Sequence, residues 1–232
     1  MQKGGRFSRR TFLAAAGGTI VNLGLPGIFI KLSDAKQHEL ATSIRPDGKS
    51  RLPPGQHAVE KILDMGGRPG TAVGADWSVR IHGEVEKPIV LSYEDLLNLD
   101  QVQIVCDVHC VTGWTLLDSS WTGVRLETIM DMVKPTNCAK FIVLEAAEGY
   151  SSNVPISDTQ QEHVILAHRF FDEKLQRAHG APVRVVIPDR YFYKSAKWLE
   201  AIKVTAHDEP GYWESRGFSN SADPWKEERY PA

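Results

Sequence analysis

The chain has 232 residues, 42% hydrophobic and 24% charged, with a formal net charge of −2. That is enough chain to bury a core without disulfide staples, and the charge argues against a nucleic-acid binder, which would be basic. Three cysteines, Cys106, Cys110 and Cys138, are too few for a disulfide framework, and their odd number leaves at least one thiol unpaired or in a special role.

The charge is unevenly spread. Residues 1–35 hold Lys3, Arg6, Arg9, Arg10 and Lys31 against Asp34, and the remainder holds 22 Lys/Arg against 28 Asp/Glu, a net −6. The basic character therefore points to an address rather than to a basic binding surface. Ser8-Arg9-Arg10-Thr11-Phe12-Leu13 opens an apolar run that reaches about Leu32, and Ser33-Asp34-Ala35 offers small residues to a signal peptidase. Residues 1–35 resemble a bacterial twin-arginine export signal, a route that carries proteins already folded. The expected location is the periplasm. The apolar run is also about long enough to span a bilayer, so a retained membrane tether is the alternative, although Gly17, Gly18, Gly24, Pro26 and Gly27 weaken it as a spanning helix.

Residues 36–59 are polar, include Pro53-Pro54-Gly55, and read as a linker, so the folded body is expected over 60–232. Trp77-Ser-Val-Arg-Ile-His-Gly-Glu-Val85 alternates apolar and polar and predicts a strand that turns at Gly83. Leu91-Ser-Tyr-Glu-Asp-Leu-Leu97 predicts a short helix, with Ser92 as cap and Asp95 three residues on. Val102, Ile104, Cys106, Val108 and Cys110 fall on one face of a strand if alternation holds. Leu126–Val133 is an amphipathic helix stopped by Pro135, and Lys140–Ala146 is a buried strand. Val164–Phe170 is too short an apolar run to decide between strand and helix. Pro182–Pro188 predicts a strand bounded by prolines, Ala196–Val204 another, and the aromatic, charged tail is expected to wrap the surface. Without a regular βαβ period, these elements predict an α+β domain with a mixed or antiparallel sheet.

Cys106-Asp-Val-His-Cys110 invites a metal reading. On an extended strand, however, the two cysteines stand about 13 Å apart, too far for a disulfide or a shared zinc ion. One cysteine alone can serve a soft, thiophilic metal whose other ligands come from a cofactor. Cys110, at a strand end opening into Val111-Thr112-Gly113-Trp114, is the better candidate. His109 is expected to face away from it as a structural hydrogen-bonder. Cys106 and Cys138 are read as core residues or an incidental pair.

Asp107-Val-His-Cys-Val-Thr-Gly-Trp114, with Trp121-Thr-Gly-Val124, resembles the molybdenum-binding motif of the sulfite oxidase family. A second block, His179-Gly-Ala-Pro-Val-Arg184-Val-Val-Ile-Pro188 with Tyr191-Phe-Tyr-Lys194-Ser-Ala-Lys197-Trp198, resembles the family's pterin-binding stretch, and Gly211–Gly217 with Asp223–Tyr230 is similar to small bacterial members. The resemblance implies a sulfite-oxidase-like molybdopterin-binding fold with a mixed sheet and short helices. It implies Cys110 as the catalytic thiolate on molybdenum, with a single molybdopterin supplying further sulfurs. It implies cofactor contacts from Ala146, His179, Arg184, Ser195, Ala196 and Lys197. Independently, Arg184, Lys194 and Lys197 offer cations to an anionic pterin tail. Pairing of Arg184 with Glu145 is the other reading of that arginine.

The implied activity is oxygen-atom transfer at sulfur. In the sulfite-oxidising members an arginine closely follows the motif cysteine, whereas here Val111-Thr112-Gly113-Trp114 follows. This departure shifts the expectation toward the family's exported reductases, which act on a small sulfur compound or on methionine sulfoxide in proteins. Trp114 is expected as an aromatic wall for such a substrate, and the aromatic cluster near the C-terminus is expected only to pack. Sulfite oxidation with an external acceptor is the alternative. A binding module that kept the fold and lost the metal is an alternative of another class. Within these 232 residues neither the family's haem domain nor its Ig-like dimerisation domain is expected. Electrons are therefore expected to pass through a separate membrane haem protein or cytochrome.

Overall fold

The computed structural model describes residue 39 and residues 42–72 and 74–231. The export-signal reading of residues 1–35 lies outside these residues. Among the described residues, no helix is long and apolar enough to cross a membrane.

The strands build two sheets. The first contains β1 (His57–Val59), β4 (Gln101–His109), β5 (Trp114–Arg125), β8 (Ile165–Phe170), β9 (Glu173–Lys174) and β10 (Arg184–Val186). The second has the order β3-β2-β11-β6-β7, from β2 (Ser78–Gly83), β3 (Ile89–Ser92), β6 (Phe141–Ala146), β7 (Ser151–Pro155) and β11 (Leu199–Thr205). Each sheet is mixed: β1 runs parallel to β5 and β11 parallel to β2, while the other pairings are antiparallel. The helices are short, so the α+β class with mixed sheets holds.

Local chemistry explains the elements. α1 (Tyr93–Asn98) starts at a capping box in which Ser92 Oγ accepts from the Asp95 amide and the Asp95 carboxylate accepts from the Ser92 amide. α2 (Leu126–Val133) buries Leu126, Ile129, Met130 and Val133, the one-face spacing of an amphipathic helix. Each large apolar side chain so buried contributes about 1.5–3 kcal/mol. The undecided run at 164–170 is strand β8, paired on one side with β5 and on the other with β10.

β4 and β5 form the hairpin that carries the motif cysteine. Their register slips between Cys106 and Val108, where β5 carries one extra residue. Asp118 sits there at φ 52°, and its amide donates to Asp107 Oδ1 at 2.9 Å. The bulge leaves the alternation of β4 intact. Val102, Ile104, Cys106, Val108 and Cys110 all pack into one apolar cluster, against Trp114, Leu116 and Trp121 of β5. Without the extra residue, Trp121 would point away from the cluster that holds Trp114 and Leu116.

The linker expectation over 36–59 needs correction for its described part. β1 docks on β5, Arg51 pairs with Asp107 and Asp118, and Trp225 Nε1 donates to Ser50 O at 2.7 Å. The composition of this stretch is that of a loop, but its polar groups find fixed partners in the motif hairpin and the tail. Cys138 is exposed rather than part of the core, and all three cysteines are free.

Candidate active site

Cys110 follows β4 directly, and the turn Val111–Gly113 leads into β5. Gly113 adopts φ 105°, a conformation that suits glycine at this tight reversal. The Cys110 amide donates to Trp114 O at 2.8 Å, and Cys110 O accepts from the Gly113 amide and from Gln56 Nε2, each at 3.0 Å. Arg229 donates to Val111 O from the other end of the chain. The turn is thus held by both termini of the fold. Burial pushes the Cys110 thiol up from its ordinary pKa, opposed by hydrogen bonds from Thr112 and by the Arg229 charge.

The thiol opens onto a cleft of about 710 Å³, within the range of small-molecule and cofactor sites. One wall is the segment Ile62, Leu63, Met65, Gly66, Gly67 and Arg68. His179, Arg184, Ser195 and Lys197 also line it, together with the aromatic side chains of Tyr150, Phe192, Tyr193, Trp198, Tyr212, Trp213 and Phe218. Gly67, at φ 94°, lies so close that a Cβ there would meet the Trp198 ring at 2.7 Å.

Arg184 is 2% exposed and has no carboxylate partner among the described residues. Its guanidinium donates to three carbonyl oxygens, those of Val185 at 3.3 Å, His179 at 3.0 Å and Ser195 at 2.8 Å. It lies 4.1 Å from the Phe192 ring centre. Burial lowers its pKa from 12.5 to about 9. The alternative of pairing with Glu145 does not hold, because Glu145 faces Arg80 and His82 at 3.9 and 3.6 Å. A buried cation left without an anion at a cleft wall is costly unless an anionic ligand completes it.

Lys197 stands beside it. Its ammonium donates to Gly66 O and to Ala178 O, and Asp64 lies 3.6 Å away. Burial, then the Arg184 charge, lowers its pKa to about 8. The His179 imidazole is likewise held below its ordinary value by burial and by Arg184. Ser195 Oγ accepts from the Ile187 amide at 2.9 Å.

Cys110, His179, Arg184, Ser195 and Lys197 therefore meet on one cleft. Ala146 and Ala196 do not line it; both pack in the core, and the neighbouring Ala147, Ser195 and Lys197 line it instead. Lys194, expected as a cation for the pterin tail, is turned away. It is fully buried, paired with Glu214, and donates to Asn153 O and Asn153 Oδ1 at 2.8 and 2.9 Å. Trp114, expected as a substrate wall, is buried with its indole N–H on Met65 Sδ at 3.4 Å and is not a lining residue. The aromatic lining comes instead from Tyr150, Phe192, Tyr193 and Trp198, joined by Tyr212, Trp213 and Phe218 of the C-terminal cluster that was expected only to pack.

His109 is wholly buried with Nδ1 2.9 Å from Thr115 Oγ1, the structural role expected of it. Burial lowers its pKa to about 4. The segment 62–68 escaped the sequence reading, although Gly66-Gly67 was a visible sign of close backbone approach.

Comparison with known proteins decides the family. The family model described as oxidoreductase molybdopterin binding domain matches residues 66–213. The chain belongs to the molybdopterin-binding oxidoreductases of the sulfite oxidase family. It is 37% identical over 186 residues to the uncharacterized oxidoreductase YuiH of Bacillus subtilis, covering 79% of this chain and 94% of that one. It is 29% identical over 157 residues to the protein-methionine-sulfoxide reductase catalytic subunit MsrP of Campylobacter jejuni, covering 60% of this chain and 52% of the relative. The sulfane dehydrogenase SoxCD of Paracoccus pantotrophus shares the fold, with a TM-score of 0.57 at 17% identity, over 88% of this chain and 59% of that one.

The residues of this oxidoreductase fit a molybdopterin cofactor. Among the described residues, no cluster of three or more His, Cys, Asp or Glu side chains is placed to hold a metal ion. A protein that offers one sulfur donor suits a metal whose remaining ligands arrive with an organic group. The carboxylate-free buried Arg184, with Lys197 and His179 beside it, suits the anionic part of that group.

Proposed function

We propose that this oxidoreductase removes oxygen from a sulfoxide, drawing electrons from a separate haem protein or cytochrome, after twin-arginine export. The observation that carries the reading is the apolar and aromatic lining of the cleft onto which Cys110 opens. Its aromatic side chains, with Ile62, Leu63 and Met65, suit a neutral sulfur compound with apolar arms. A small dianion such as sulfite would call for free cations next to the thiol; Val111-Thr112-Gly113 supplies none, and Arg229, whose charge acts on the thiol, is engaged by Val111 O. Of the cations that line the cleft, Arg184 and Lys197 are assigned to the cofactor. The MsrP relatives support a methionine sulfoxide as substrate, free or within a protein.

The overall change consumes two electrons and two protons and turns a sulfoxide into a thioether and water. The bound molybdenum cofactor, with a single pterin, would supply the centre that accepts oxygen and cycles by two electrons. Cys110 would hold the metal through its thiolate. Arg184, Lys197, His179 and Ser195 would hold the pterin and its anionic tail, Arg184 as a planar fork and Lys197 as a point charge. The aromatic wall would exclude water and orient the substrate's apolar arms.

The test uses cofactor-loaded protein and two assays. Oxidation of a reduced viologen dye should depend on methionine sulfoxide, and ferricyanide reduction should not depend on sulfite. Sulfite-dependent turnover with no sulfoxide reduction would overturn the reading in favour of sulfite oxidation. Full-length protein should fractionate outside the cytoplasm, and Arg9→Lys with Arg10→Lys should retain it inside; unchanged fractionation of that variant refutes the twin-arginine route.

A further inference from the structure

The motif turn places a second side chain on the metal-facing sulfur. Cys110 Sγ lies 3.1 Å from Thr112 Oγ1, and both residues line the cleft. While the sulfur is a thiol, either atom can donate. Metal ligation removes that freedom, because a ligating cysteine is a thiolate. A thiolate can only accept, so the hydroxyl must donate.

The contact does not rest on the threonine side chain for its geometry. The turn is held by Cys110 N to Trp114 O, Gly113 N to Cys110 O, Gln56 Nε2 to Cys110 O and the Arg229 donation to Val111 O. His57 N adds a bond to Gly113 O at 2.9 Å. Thr112 itself is exposed, so exchanging it leaves the core untouched. Its hydroxyl makes no other hydrogen bond among the described residues.

We propose that Thr112 is a positioning residue for the metal-ligating sulfur, and that its hydroxyl donates to the Cys110 thiolate and makes the metal easier to reduce. The proposal rests on the reading of Cys110 as the metal ligand. The physical cause is charge. A hydrogen bond on a ligating sulfur draws electron density from it, weakens its donation to the metal and stabilises the reduced state. For an enzyme that must deliver electrons to a sulfoxide, the threonine thereby sets how readily its donor can charge the site.

The experiment compares holoprotein of wild type, Thr112→Val and Thr112→Ser at matched molybdenum content. Midpoint potentials are read from the pentavalent molybdenum resonance in a redox titration. Thr112→Val should move the potential negative and alter the resonance, and Thr112→Ser should restore both. Thr112→Ala, which also lacks the donor, should follow Thr112→Val and replaces it if valine blocks loading. A valine or alanine variant with wild-type potential overturns the proposal, as does a serine variant shifted as far as valine. Failure of the underlying reading looks different: Cys110→Ser would keep the same number of sulfur ligands on the metal.

Discussion

Two cations on the cleft wall differ in what they predict. Arg184 is buried with carbonyl partners only, so a pterin phosphate would be its anion. A hydrogen bond to a charged group is worth about 1.5–3 kcal/mol. Arg184→Met should therefore lower cofactor affinity by about tenfold to a hundredfold, read as pterin and molybdenum content after purification; full occupancy contradicts the assignment. Lys197 loses its proton near pH 8 in the free site, because burial and Arg184 disfavour its charge. A bound anion favours the charged form and raises that pKa. Affinity of the apoprotein for pyrophosphate should thus be full below pH 8 and decline above it, by at most about tenfold per pH unit. Calorimetry across this range should show the decline in wild type and little of it in Lys197→Arg. The sequence spacing exposed both residues because Arg and Lys sit within one short block, but it could not separate them from Lys194. A charged residue's side-chain direction in an irregular turn has no period to read, and Lys194 faces Glu214 instead.

At the level of elements, that Lys194–Glu214 pair joins the turn before β11 to the C-terminal segment that supplies Tyr212, Trp213 and Phe218. Removing one member of a buried pair strands the other, at about 3–5 kcal/mol. Lys194→Met should lower unfolding free energy by that amount in urea, and the double variant with Glu214→Leu should recover part of the loss. Equal stability of wild type and Lys194→Met would show that the pair does not hold the tail. Regular elements were legible where period and cap agreed: α1 from Ser92 and Asp95, α2 from its apolar face, and β4 from its alternation. The extra residue in β5 was not legible. It depends on Asp107 accepting from the Asp118 amide and on Arg51 bridging both carboxylates, contacts 11 to 67 residues apart in sequence. The tail's share of the aromatic lining was invisible for the same reason, since Trp213 and Phe218 reach the thiol cleft only once the tail has wrapped the body.

For the whole molecule, the stretch before Glu60 and the last residues of the tail both close on the motif turn. Gln56 holds Cys110 O, Arg229 holds Val111 O, and Trp225 bonds Ser50 O. A chain that starts at Glu60 should therefore melt well below one that starts at Ser43, and a coincident melt contradicts the packing described for residues 43–59. In the proposed holoprotein one protein thiolate, from Cys110, completes the coordination of a pterin-bound molybdenum. X-ray absorption at the molybdenum edge, on holoprotein of wild type and Cys110→Ser, tests it most directly. The serine variant should lose one sulfur ligand from the metal and, with it, sulfoxide reduction, while its circular dichroism stays unchanged. An unaltered sulfur shell in the folded variant would contradict it.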